Sequence, residues 1–407
     1  MNLCIHILPT WLELLSLTFC TGILVCRLWV LLPSTETGLS DDKDFSGRLR
    51  LLFTIGIVVM MASSAIGLMG RSMEMSGLPL NALPSVLPAV IFRTHFGHVW
   101  IVRLAALILW IILAKAGGRH CDSRWFISLM LAVGLVVSMT ESATGHAADA
   151  GDFSIREMMD WLHLLGASTW GGGVFVLSLL ILPKIARADG QATPIIGEVA
   201  GRFSRIAGFA VGIIMITAVY NEAVYAGSVE ALLLAPYGRI IIAKSYLFLL
   251  ILGFGAFNRY VSVPLLHEQA GSPAIRRGIP GKVAFRLFLL LLPSLKERHA
   301  AFRFKRIVRI EAILLMGVLF CAALLRHEVP AAHFSHNRHA EGSGGHAHGV
   351  VPGVTHDQEH SHIKASGRFG PEVDAEITFP SKGVYMIFSQ VKHHDNVCLF
   401  DFMVKAQ

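Results

Sequence analysis

The sequence predicts an all-α polytopic membrane protein. It has eight transmembrane helices with both termini on the outer side, then a His-rich linker and a small C-terminal β segment. Three observations lead there. Eight apolar runs are long enough to cross a bilayer, which takes roughly 20 residues. Basic residues gather in alternate loops. Beyond Leu325 the chain turns polar and rich in glycine and histidine, and then alternates with period two.

Composition agrees. Of 407 residues, 54% are hydrophobic and only 15% charged, and the mean hydropathy is +0.58. A soluble domain carries about a quarter charged residues. The net charge of +7 does not signal a nucleic-acid partner, because the basic residues sit in short loops where topology accounts for them. The partner these numbers imply is the lipid bilayer. The six cysteines lie mostly in or beside apolar runs and form no CxxC, which argues against a disulfide framework or a zinc knuckle. No Lys or Arg precedes Arg27 and no small-residue cleavage site follows, so the first run reads as a retained span.

The eight runs are Thr10–Leu32, Leu51–Gly70, Phe92–Ala114, Trp125–Ala143, Met158–Leu182, Phe203–Ala226, Ile240–Val263 and Ile307–Leu325. A ninth, Val283–Leu292, is short and contains Arg286, so it is expected to lie in the interface or pack on the bundle. The odd loops hold the larger share of Lys and Arg, such as Lys43, Arg48 and Arg50 in the first. Positive charge marks the cytoplasmic side, so in a bacterium both termini face the periplasm and the protein sits in the inner (plasma) membrane.

Residues 1–326 therefore form the membrane domain. Residues 327–362 lack the apolar content to offset their ordering entropy and are expected to be a disordered periplasmic linker. In 363–407, EITFP, GVYMIFSQV and CLFDFMVKA alternate apolar and polar residues, the mark of strands in a small β domain.

Histidines and methionines carry the chemistry. Eleven of the 19 histidines lie past the last span, and HxxH, HxH and HSH spacings recur among His336, His339, His346, His348, His356, His360 and His362. Neutral imidazole suits copper, zinc and nickel, and the tract does not choose among them. Within the bundle, His146 sits in the fourth interhelical loop and His163 in the fifth span, with Met159 one turn before His163 and Met139 at the end of the fourth span. Thioethers favour Cu(I), whereas imidazole takes Cu(II) or Cu(I). Against this stand plainer readings: methionine as core filler and His163 as a bundle histidine bonded to a neighbour. His95 and His98 read as interfacial. Glu13, Glu222 and Lys244 are intramembrane charges that should pair or line an ion path. Gly171, Gly172 and Gly173 read as a close helix contact.

The run DWLHLLGASTWGGG from Asp160, preceded by GHAAD from Gly145, resembles the signature of the copper resistance D membrane proteins. The likeness continues in THFGHVWIVR (Thr94–Arg103), in RFSRIAGFAVGIIMITAVYNEAV (Arg202–Val224), in APYGRIIIAKSYLFLLILGFGAFNRY (Ala235–Tyr260) and in VRIEAILL (Val308–Leu315). The resemblance implies an eight-helix inner-membrane protein that moves copper, Cu(I) or Cu(II), with His146 and His163 as leading ligands. The tail lies outside it. Copper would be gathered by the tail and passed to the His/Met site, and the sequence leaves open whether a periplasmic copper carrier protein docks there. No Walker or aspartyl-phosphate motif is present, so the chain reads as a non-enzyme whose transport is passive or coupled to an ion gradient. Two other classes remain: a haem-binding electron-transfer protein, which a Soret band would reveal, and a copper-binding or sensing protein that does not transport, which liposome flux would separate.

Overall fold

A computed structural model describes residues 6–32, 42–117, 123–186, 192–225, 229–269, 300–328, 383–393 and 396–406. Eight of its helices are long and apolar enough to span a membrane. They are α1 (Ile7–Leu31), α2 (Lys43–Ser76), α4 (His95–Ala116), α5 (Arg124–Ser142), α6 (Ile155–Ile185), α7 (Thr193–Tyr225), α9 (Pro236–Gln269) and α10 (Ala300–Leu325). Two short helices intervene, α3 (Leu83–Arg93) and α8 (Val229–Leu234). The sequence reading did not anticipate α3. Proline in its first turn and Pro88 within it break the apolar run, and Thr94 then starts α4. The run Val283–Leu292, most of the His-rich linker and the EITFP segment lie outside the described residues.

The chain divides into two compact units, Met1–Ala223 with Ile240–Glu328, and Val224–Arg239 with Val329–Gln407. The first is a helical bundle built around α1. Within the apolar stretch of α1, 83% of residues are buried, against 11% for α9. The first span is thus the bundle's core, packed by α2, α5, α6 and α10. Glycine sets its closest approach. A Cβ on Gly172 would lie 2.0 Å from the Thr18 carbonyl oxygen, and one on Gly22 would lie 2.1 Å from the Gly172 carbonyl carbon. Only glycine on both sides lets these backbones meet. Leu17, Ile23 and Leu24 of the same helix are fully buried.

Local signals set the helix ends. Asp42 caps α2, accepting from the Phe45 N–H at 2.9 Å, and Lys184 lies 2.5 Å from its other oxygen. That ammonium and the cap bond hold the Asp42 carboxyl below the usual range. Gly77, at φ 63°, ends α2. Ser154 caps α6 through the Glu157 N–H, while the Glu157 carboxylate takes the Phe153 N–H. The 3-10 turn His146–Ala150 precedes that cap. Among the described residues, three helices carry a π turn: Cys26–Leu31 in α1, Leu177–Ile181 in α6 and Asn258–Ser262 in α9.

In the second unit, β1 (Gly383–His393) and β2 (Asn396–Ala406) form an antiparallel hairpin with Gly383 opposite Ala406 and His393 opposite Asn396.

Candidate metal-entry site

At the end of the bundle where α1 begins, four elements bring ionisable side chains together. Arg103 of α4 is buried. Its guanidinium lies 2.7 Å from Glu13 of α1 and 3.2 Å from Glu141 of α5. Its remaining donors go to the Thr140 hydroxyl at 3.2 Å, the Thr140 carbonyl at 2.7 Å and the Thr144 hydroxyl at 2.8 Å. Arg326, just past α10, lies 2.5 Å from the second Glu141 oxygen and also donates to the Glu141 carbonyl. Two arginines thus face two glutamates. Such a balanced, heavily bonded network is a lock between helices rather than a cation trap.

Above the lock, His6, Glu74 and His327 converge. His6 Nδ1 lies 3.0 Å from Glu74 Oε1. The two imidazoles meet edge to face at 5.8 Å between ring centres. One ligand atom from each of the three residues lies within 4.8 Å of the others. Among the described residues this is the one group of three imidazole, thiol or carboxyl ligands that close. Thr10 fixes one ring: its hydroxyl donates to the His6 carbonyl at 2.9 Å, so His327 donates Nε2–H to the Thr10 hydroxyl oxygen at 2.9 Å. That tautomer leaves the His327 Nδ1 lone pair for a ligand. Burial holds the His327 pKa below the ordinary imidazole value, against an opposing pull from Glu74. Burial thus favours the neutral ring, the form that can ligate. His6, Thr10, Glu74 and His327 share a cavity of about 100 Å³ with the Arg103 network.

His146 and His163 stand elsewhere. His146 Nε2 donates to the Leu325 carbonyl at 3.3 Å, tying the loop to the end of α10. His163 is half-buried, and its Nδ1 meets the Thr217 hydroxyl of α7 at 2.9 Å. Thr217 gives its own proton to the Ile213 carbonyl at 2.8 Å, so His163 donates from Nδ1 and keeps the Nε2 lone pair. Lys244 lies near enough to act electrostatically on His163 and Asp160. Neither His146 nor His163 joins a group of three such ligands among the described residues. Met139 and Met159 are half-buried on α5 and α6. Glu222 takes a hydrogen bond from Ser245 at 3.2 Å, and among the described residues it makes no ion pair with Lys244. His95 lies 3.5 Å from Asp152 at the surface, and His98 bonds the Phe92 carbonyl at 3.1 Å. His336, His339, His346, His348, His356, His360 and His362 lie outside the described residues.

Sequence reasoning missed the His6–Glu74–His327 group, since 68 and 253 residues separate its members. Arg103 and Glu141 did carry a signal, because each is a charge inside an apolar run.

Comparison with known proteins agrees with this architecture. Residues 1–154 match the family model described as copper resistance protein D-like, N-terminal domain, and residues 197–325 match copper resistance protein D. The chain belongs to the copper resistance D family. Residues 336–407 match a domain of unknown function. The chain is 31% identical over 179 residues to a protein of Bacillus subtilis named copper transport protein CutJ; the match covers 43% of this chain and 32% of that protein. It is 27% identical over 228 residues to copper resistance protein D of Pseudomonas syringae pv. tomato, covering 55% of this chain and 70% of that one. The chain thus spans about a third of the Bacillus relative's length. No solved structure matches it.

Proposed function

We propose that this chain transports copper across a bacterial inner membrane for copper homeostasis and resistance, taking the ion from the periplasmic side. The convergence of His6, Glu74 and His327 carries this reading. Two imidazole nitrogens and a carboxylate oxygen suit Cu(II) among the divalent ions, and family membership selects copper from that group. His327 is also the first residue of the histidine-rich tail, so an ion captured by His336, His339, His346, His348, His356, His360 or His362 reaches this site along one chain. From there the ion passes inward to His163, whose Nε2 is held ready by Thr217, with Met159 and Met139 as soft donors that suit Cu(I). His146 joins the path by releasing the Leu325 carbonyl. The basic odd loops lie in the cytoplasm, and the tail and both termini in the periplasm. The copper names of the two relatives support the cargo. A periplasmic copper carrier delivering to the tail fits this arrangement.

The test uses the full-length chain with the eight histidines from His333 to His362 replaced by asparagine, which removes competing ligands. This protein should bind one Cu(II) with nitrogen hyperfine structure in its electron paramagnetic resonance spectrum. His6→Ala with His327→Ala should weaken that binding at least about tenfold, as the loss of metal-site groups does. An unchanged affinity in the double variant rules the site out.

A further inference from the structure

We propose that Glu311, held by Asn258 in a pocket far from the metal-entry site, is a proton-carrying carboxyl that couples copper movement to a proton gradient. The coupling rests on the copper reading above; the proton site itself does not.

Glu311 lies on α10, fourteen residues before Leu325, or about 21 Å along the helix. It is 4% exposed. Of the other deeply buried carboxylates among the described residues, Glu13 and Glu141 each face an arginine within 3.2 Å, and Glu157, in the first turn of α6, takes the Phe153 N–H. Glu311 makes no ion pair among the described residues. Its Oε1 accepts a hydrogen bond from Asn258 Nδ2 at 3.0 Å. A carboxylate buried without a cation is costly in a membrane, and a proton removes that cost.

Asn258 supplies the second observation. It is 7% exposed, and its Oδ1 finds no donor among the described residues. A protonated Glu311 offers the missing O–H, so acid and amide can pair head to tail. When the carboxyl is ionised, that donor disappears and Oδ1 is orphaned again. Asn258 opens the π turn Asn258–Ser262, and such wide turns reorient side chains at functional sites.

Both residues line a cavity of about 540 Å³ between α6, α7, α9 and α10, large enough to hold water beside the carboxyl. Gly255 leaves space over it, since a Cβ there would stand 3.9 Å from Glu311 Oε1. Among the described residues, the other charged and titratable groups facing the pocket are Arg205 from α7 and Arg259 and Tyr260 from α9; α6 contributes Trp170. On α1, Glu13 is paired with Arg103. Among the described residues that line it, the pocket offers no imidazole and no sulfur, and its arginines repel metal cations. A proton is the cation these groups can take. The step is balanced: the proton leaves a Glu311 oxygen for water in the pocket, and returns the same way, with no redox change.

The experiment treats full-length protein in proteoliposomes with dicyclohexylcarbodiimide, which modifies protonated carboxyls in apolar surroundings, and maps adducts by mass spectrometry. An adduct on Glu311 that increases from pH 8 to pH 6 is expected. Glu311→Gln removes it, and Asn258→Ala, which keeps the carboxyl, shifts its pH profile. No adduct on Glu311, or one insensitive to pH in both wild type and Asn258→Ala, overturns the proton site. An internal pH dye then follows copper uptake: a pH change lost in Glu311→Gln supports coupling, and copper flux without any pH change overturns it. Failure of the wild-type protein to move copper overturns the copper reading instead, and the adduct still decides the proton site.

Discussion

Arg103 shows how a single side chain organises one end of this membrane protein. Its guanidinium reaches Glu13, Glu141, Thr140 and Thr144 at once, so α1, α4 and α5 meet on one planar fork. Lysine could not make all of these bonds. Replacing Arg103 with leucine leaves Glu13 and Glu141 facing each other without their shared cation. The variant should lose about 3–5 kcal/mol of stability, the cost of breaking a buried pair by removing one partner. Thermal unfolding in detergent checks this, and a melting curve matching wild type would show that the network contributes nothing. The same scale explains why the histidines divide by role. His146 donates its Nε2 proton to the Leu325 carbonyl, so a ring expected at an ion-binding mouth here fastens two segments. His163 and His327 each donate one ring proton to a threonine and keep the other nitrogen's lone pair.

Among the helices, α1 and α6 define the bundle. The glycine run read as a packing device divides its work by position. Gly172 lies on Thr18 and Gly22, a Cβ on Gly173 would stand 2.1 Å from the Phe203 ring, and one on Gly171 would meet Leu315 at an ordinary 3.4 Å. Gly172→Val should therefore force the two backbones apart and abolish the monodisperse folded species in size-exclusion chromatography. Gly171→Ala should leave it intact. Equal behaviour of the two variants would mean that the α1–α6 approach does not limit folding. The eight spans were legible in sequence because each apolar run must satisfy its own backbone hydrogen bonds in lipid, and only a helix does so within one segment. Their ends were less legible. The helix of α2 runs from Lys43 to Ser76, well beyond its apolar centre, because Asp42 and Gly77 cap it outside the hydrophobic run. The short helix α3 escaped notice because its prolines disguise it.

For the whole molecule, the tail and the bundle are one chain joined at His327. Removal of Ala332–His362 should leave transport at saturating copper unchanged and reduce it at low copper. Proteoliposome flux across a copper series checks this; equal loss at all concentrations would assign the tail a structural role. Proton coupling through Glu311 would add a second station on the far side of His163, which separates capture of the ion from the step that drives it.

Sequence alone determined the membrane class, the number and order of spans and the resemblance to copper resistance D proteins, because hydropathy and contiguous motifs are local properties of the chain. Tertiary structure decided which charges cancel and which stay unpaired. Glu13 and Glu311 look alike in sequence, each an acid in an apolar run, yet one finds Arg103 and the other only Asn258. It also decided that His6, Glu74 and His327 meet. Proximity between residues far apart along the chain is set by how helices pack, and no local pattern records it.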